Sequence, residues 1–137
     1  MASIFELGDI PNGMLPGQCT LVEVTNTATL TAAQSYNSIV RGIPTSTATY
    51  TTASAAAIIS AIGGDCAVGT CFRVVVLNAA ASAITITIGG GSGVTVSGVA
   101  TVAQNVCKEF IGYVTNVTAG SQAITLYGLG STASAVA

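Results

Sequence analysis

Histidine and tryptophan are absent from this 137-residue chain, and charge nearly so: three Lys and Arg and five Asp and Glu, 6% of the residues, against about 25% in an average globular domain. Each absence excludes a class of function. With so few Lys and Arg there is no basic field to hold a phosphate backbone, so nucleic acid is not an expected partner. With no imidazole, and carboxylates only at Glu6, Asp9, Glu23, Asp65 and Glu109, most acid–base chemistry lacks its reagents. The chain reads as a non-enzyme with no cofactor. A zinc site needs two close cysteine pairs or a histidine pair, and a catalytic cysteine needs a base; neither condition is met, so no metal is expected. Long apolar runs are missing too, despite a mean hydropathy of +0.74. The longest, residues 53–64, is about a dozen residues interrupted by Ser54 and Ser60, short of the roughly 20 that span a bilayer. Residues 1–9 carry Glu6 and Asp9 but no positive charge, unlike a secretory signal, and synthesis in a cytoplasm is expected.

What the chain has in abundance is small residues: 22 Ala, 19 Thr, 16 Gly and 12 Ser. A chain with so little charge to keep copies apart is expected to hide surface in an oligomer. Its order along the sequence suggests three parts. Residues 1–17, broken by Pro11, Asn12-Gly13 and Pro16-Gly17, read as an extended arm. Ile4, Phe5, Leu7, Ile10, Met14 and Leu15 give the arm large apolar side chains without a period that would fold it alone. These are expected contacts with a neighbouring subunit or a surface beneath. Residues 18–130 read as one β domain, and residues 131–137 as a flexible small-residue tail.

Within the domain, Thr20–Thr25, Thr29–Thr31, Ser38–Arg41 and Thr47–Thr51 are short β-branched runs. Cys71–Leu77 is a nearly continuous apolar run, and Ala83–Ile88 alternates Ile with Thr. Val94–Ser97 and Ala100–Ala103 flank Gly98 as an expected hairpin, and Cys107–Thr118 and Ala123–Leu129 complete the set. One segment differs. Thr52–Ile62 is alanine-rich with Ile58, Ile59 and Ile62 on one side, Thr52 or Ser54 as caps and Gly63-Gly64 as the stop, which predicts one helix at about 53–62 whose isoleucines lie against a sheet. The expected fold is all-β, a jelly-roll-like β-sandwich of about 8–10 short strands with one short helix.

Four features invite chemistry. Cys66 and Cys71 enclose Ala-Val-Gly-Thr and can close a disulfide across a turn; Cys19 with Cys107 is another pairing, and buried free thiols are the plain alternative. The Gly89–Gly93 run lacks the Lys-Ser/Thr and following helix of a phosphate loop, so it reads as a mobile tip. Asn116-Val117-Thr118 fits a glycosylation triplet but reads as a turn. An ice-binding face would need Thr-x-Thr ladders on repeats of fixed length, and the threonine spacing here wanders. The charges inside β runs, Arg41 and Arg73, are expected either to pair with Glu23 or Glu109, within or between subunits, or to lie at a solvated strand edge, because an unpaired buried charge is costly.

The order Tyr36-Asn37-Ser38-Ile39-Val40-Arg41-Gly42, Thr-rich strand, Ala-rich helix, Gly69-Thr70-Cys71-Phe72-Arg73-Val74-Val75-Val76-Leu77-Asn78, Ile84–Gly89 and Gly93-Val94-Thr95-Val96-Ser97-Gly98 resembles small all-β head-surface proteins of tailed phages and other large DNA viruses. These are capsid decoration proteins, head fibres and tail-spike tips, and the resemblance spans about residues 31–130. It implies a virion structural protein made in the host cytoplasm and placed on the capsid exterior. There a homotrimer would act as a decoration (cement) protein, bound to the major capsid protein and stabilising contacts between capsomers. It carries no catalytic residue. The alternative it implies is a receptor- or glycan-binding tip of a head fibre or tail spike, which would show exposed aromatic clusters.

Overall fold

The computed structural model describes residues 19–130. The arm and its expected contacts Ile4, Phe5, Leu7, Ile10 and Leu15 lie outside the described residues, as does the tail at 131–137. Ten strands and one helix follow in order: β1 Thr20–Val24, β2 Ala28–Thr29, β3 Ser38–Gly42, β4 Ala48–Thr51, α1 Ala55–Ile62, β5 Cys71–Asn78, β6 Ile86–Gly89, β7 Val94–Gly98, β8 Thr101–Val102, β9 Cys107–Asn116 and β10 Ala123–Gly128. The protein is β-rich, with one short helix and two mixed sheets. One sheet has six strands in the order β1-β3-β5-β9-β10-β7, the other four in the order β2-β4-β6-β8.

From β1 to β9 the chain changes sheet at every step. β1, β3 and β5 therefore lie side by side and parallel, as do β2, β4 and β6, and β7 joins β10 in parallel. Parallel neighbours cannot be joined by a tight turn and need a crossover. Here the crossover is a strand of the opposite sheet, lengthened once by α1. Only β5–β9, β9–β10 and β6–β8 run antiparallel, whereas a jelly roll pairs its strands antiparallel. The hairpin expected around Gly98 does not form: β7 pairs with β10 and β8 with β6. Gly98 holds φ +84° and turns the chain from one sheet to the other. A side chain there would stand 2.7 Å from the Gly128 carbonyl, so only glycine fits this corner.

Both sheets share one core. Val40, Phe72, Val74, Val76, Phe110, Val114, Ile124 and Leu126 from the larger sheet meet Tyr50, Ile86, Ile88 and Val102 from the smaller. The two-residue side-chain period puts alternate positions inside. In β6 Ile86 and Ile88 are buried while Thr87 points out, and in β5 Phe72, Val74, Val76 and Asn78 are buried. Tyr50, with no exposed surface, crosses between the sheets, and its hydroxyl donates to the Val24 carbonyl of β1 (2.9 Å). Burial raises its pKa above the ordinary tyrosine value. Gly42 leaves the room for this ring, since a Cβ there would lie 2.7 Å from the Tyr50 oxygen.

The helix forms where the sequence predicts it. Ser54, rather than Thr52, is the cap: its Oγ accepts from the Ala57 N–H (3.2 Å), and the Gly63 N–H at φ +110° closes the other end on the Ile59 carbonyl. Tyr36 packs edge-on against Phe72, with centroids 6.3 Å apart, and its hydroxyl donates to the Ala61 carbonyl. Ile58 is buried in the common core, with Ile59 and Ile62 half-buried around it. Ile58→Ala should therefore cost about 2–5 kcal/mol, the usual range for emptying a core position. Reversible urea melts would measure it, and a loss under about 0.5 kcal/mol would mean that α1 does not seal the core.

Candidate functional site

The glycine run is the first departure from the sequence reading. Residues 89–93 are a close-packed seam rather than a mobile tip. The Gly91 N–H donates to Thr52 Oγ1 (3.0 Å), the Thr52 N–H to the Gly89 carbonyl (2.9 Å) and the Ala55 N–H to the Ser92 carbonyl (2.8 Å). The run joins strands in different sheets and passes so close to Thr52, Ala53 and Ala55 at the start of α1 that only hydrogen fits at Gly91 and Gly93, while a side chain at Gly90 would run into the Val94 carbonyl. These bonds pin the run to the corner before α1.

The threonines form the second departure. Thr49, Thr87 and Thr101 stand in one row across three strands of the smaller sheet, and the Thr49 N–H donates to Thr27 Oγ1 at the end of that row (3.1 Å). Thr29 and Thr51 start the next row, which stops at Gly89. Spacing that wanders in sequence becomes register in space, because the extra residues are taken up in crossovers. The ladder is nevertheless short, with β2 and β8 two residues long.

The lone charges behave as three separate cases. Glu23 and Arg41, in register on β1 and β3, form an ion pair. Arg73 Nε and Nη2 both reach Glu109 Oε2 at 2.7 Å, from β5 to β9. The expected pairings thus occur inside one chain, on the outward face of the six-stranded sheet. Both are largely exposed, where such pairs contribute at most about 1 kcal/mol.

Lys108, the only lysine of the chain, is the third case, and its place was not legible beforehand. Strand alternation turns it inward beside Phe110, and it is buried. Its ammonium donates to the carbonyls of Val99 (2.8 Å) and Thr101 (3.0 Å) and lies 5.8 Å from the centre of the Phe110 ring. It therefore ties β9 to the segment entering β8. Burial lowers its pKa below the ordinary 10.5. A lysine lowered in the fold penalises the native state while both states are charged, and the penalty fades as pH rises through the folded pKa towards the unfolded one. Relative to Lys108→Met, the native protein should gain stability as pH approaches 10.5 from neutrality. Paired denaturant melts along that series would test the sign. An amine-reactive reagent should also modify Lys108 only once the fold is opened.

The four cysteines carry separate thiols. Cys66 is half-buried against the core, whereas Cys71 occupies an outward position of β5; Cys19 and Cys107 are also exposed. The thiols thus lie at the surface or its margin rather than in the interior. Cys71 lines a shallow hollow of about 240 Å³ with Asn37, Phe72, Arg73 and Ile111. Asn116 ends β9, and its Oδ1 accepts from the Thr118 N–H (2.8 Å), the turn expected at that triplet. Among the described residues, no three His, Cys, Asp or Glu side chains gather as metal ligands, and no helix is long and apolar enough to cross a membrane.

The remaining feature of size is the outward face of the six-stranded sheet. It is apolar for a surface: Leu21 is 73% exposed, Tyr127 46% and Tyr113 39%, with Ile39, Val75 and Ile111 half-buried between them. The nearly continuous apolar run of β5 signalled apolar side chains on both of its faces, but the order of strands that sets Val75 beside Ile39 and Ile111 lies in the topology. No protein-family model, curated protein or solved structure matches this chain.

Proposed function

We propose that this chain is a virion structural protein: a capsid decoration (cement) protein that stands as a homotrimer on the capsid exterior. In this reading it binds the major capsid protein and stabilises contacts between capsomers, after synthesis in the host cytoplasm. The observation that carries the reading is the neutral, apolar outer face of the six-stranded sheet, whose acids and bases are paired within the chain. A protein built to bind by area rather than by charge has this kind of surface, and the sequence resemblance to head-surface proteins points the same way. Of the jelly-roll-like sandwich expected from the strand rhythm, this reading keeps the two-layer body. It assigns no catalysis, cofactor, nucleic acid or membrane.

Two experiments test it. Particles assembled without this protein should open at lower temperature than particles carrying it, and equal thermal and osmotic stability would refute the cement role. Deleting residues 1–17 should leave a folded domain that no longer attaches, while added NaCl should barely change attachment of the full chain, because apolar contacts are not screened by salt. Undiminished attachment of the truncated protein would move the contact onto the β domain.

The second reading, a glycan-binding fibre or spike tip, has one observation in its favour. Tyr113 and Tyr127 are both exposed, and the β9–β10 register makes them diagonal neighbours, within reach of one another for large side chains. Glycan-array binding that is lost in Tyr127→Ala would favour it.

A further inference from the structure

We infer that the outward face of the six-stranded sheet is the surface through which copies of this chain meet. The inference takes only the existence of an oligomer from the proposed function and adds which surface builds it. Leu21, Ile39, Val75, Ile111, Tyr113 and Tyr127 stand on that face across β1, β3, β5, β9 and β10. Successive rows run Leu21–Ile39–Val75–Glu109, then Arg73–Ile111–Tyr127–Ser97. The apolar side chains therefore touch across strands rather than standing as isolated exceptions. Contiguous exposed patches of this kind mark interaction sites.

The size is sufficient. Six strands about 4.8 Å apart and about five residues long, at roughly 3.3 Å per residue, project about 500 Å². Two such faces then remove roughly 1,000 Å² from water before side-chain relief is counted, the lower bound of a specific contact.

Charge selects the occupant. The face carries Glu23, Arg41, Arg73 and Glu109, two of each sign, closed into two pairs. An acidic or basic partner finds no free counter-charge there. A second copy meets no net repulsion. The smaller sheet offers no equivalent, since its outward side chains are Thr29, Thr49, Thr51, Thr87 and Thr101, hydroxyls that water satisfies as well as protein does. Cys71 adds a reporter: it is exposed on the same face, opposite Tyr113 and beside Ile111 in the shallow hollow. Copies meeting at this face would cover its thiol.

The test uses the full chain. Native mass spectrometry and light scattering should give a multiple of 13.4 kDa for the wild type and the monomer mass for Ile111→Glu and for Tyr127→Asp, each checked for a cooperative melt. Maleimide labelling of Cys71, read by peptide mass spectrometry, should be at least about tenfold slower in the wild type at micromolar concentration than in either variant. It should also accelerate when the wild type is diluted to nanomolar, an arm that needs no variant to fold. Wild-type mass in both folded variants, with Cys71 labelling independent of concentration, would overturn the assignment of the face and leave an oligomer built on another surface. A wild type that is monomeric at micromolar concentration would overturn both the face and the trimer. The cement role is tested separately, by particle stability.

Discussion

Asn78→Asp is expected to destabilise the protein by about 4 kcal/mol or more at neutral pH, because buried acceptors would lose their donors and an unpaired charge would be buried. Asn78 has no exposed surface. Its amide donates to the carbonyls of Ile84 and Val102, both at 2.8 Å, and its Oδ1 accepts from the Ala80 N–H at 3.1 Å. Its backbone is used as well: its N–H donates to the Val106 carbonyl, and its carbonyl accepts from the Asn105 N–H. One side chain thus joins the end of β5 to the loop before β6 and to β8 in the other sheet. An ionised aspartate donates nothing and sets its charge against two carbonyl oxygens. Such a site raises the carboxyl pKa above its unfolded value near 3.9. The deficit is then full above the raised pKa and shrinks as pH falls towards the unfolded one. Urea melts of wild type and variant at pH 7 and pH 5 should show the gap closing on acidification. A gap under about 1 kcal/mol at pH 7 would mean that the network is not made.

Gly91→Ala should be nearly as damaging, at about 3 kcal/mol, the upper end of what overpacking costs. A Cβ at this position would lie 2.5 Å from the Thr52 carbonyl oxygen and 2.7 Å from that of Ala53. Both are backbone atoms, and hydrogen bonds from Thr52, Gly91 and Ala55 lock the seam on both sides, so neither can give way. Gly64→Ala is the control. That glycine has open space around its missing side chain and no left-handed φ, so the change should be neutral or slightly stabilising through the unfolded chain. Thermal melts of the two variants should differ by several degrees in Tm. Equal melts would show that the seam yields.

These two predictions rest on positions that the sequence presented quite differently. Asn78 read as the last residue of a strand, with nothing to mark it as a junction. The glycine run read as slack chain between strands, because five small residues with no apolar side chain among them have no local reason to pack. What tightens it is the corner at Thr52 and Ala53, almost forty residues earlier in the chain. Lys108 is similar. Strand alternation puts it on the inward side with Phe110, but carbonyls from Val99 and Thr101 had to be brought to it before an ammonium could be held there. In contrast, the helix from Ser54 to Gly63 and the inward isoleucines of β6 were legible, and so was the pairing of the two arginines with Glu23 and Glu109, short of which partner each takes.

The sequence by itself determined the β-rich character, the positions of most strands, the single helix with its cap and stop, and which side of most strands is apolar. All of these follow from backbone geometry over a few neighbouring residues: a two-residue period, a helical turn, the left-handed freedom of glycine. Only the tertiary structure decided that the chain would alternate between sheets and pair its early strands in parallel. It also decided that β7 and β8 would part rather than form a hairpin, and that Leu21, Ile39, Val75, Ile111 and Tyr127 would become one face. Strand choice is a long-range matter. Lengthening a crossover costs little entropy, as the insertion of α1 between β4 and β5 illustrates. The pairing is therefore selected by the core that two sheets build together around Tyr50, Ile58, Phe110 and Leu126, which no local stretch of sequence contains.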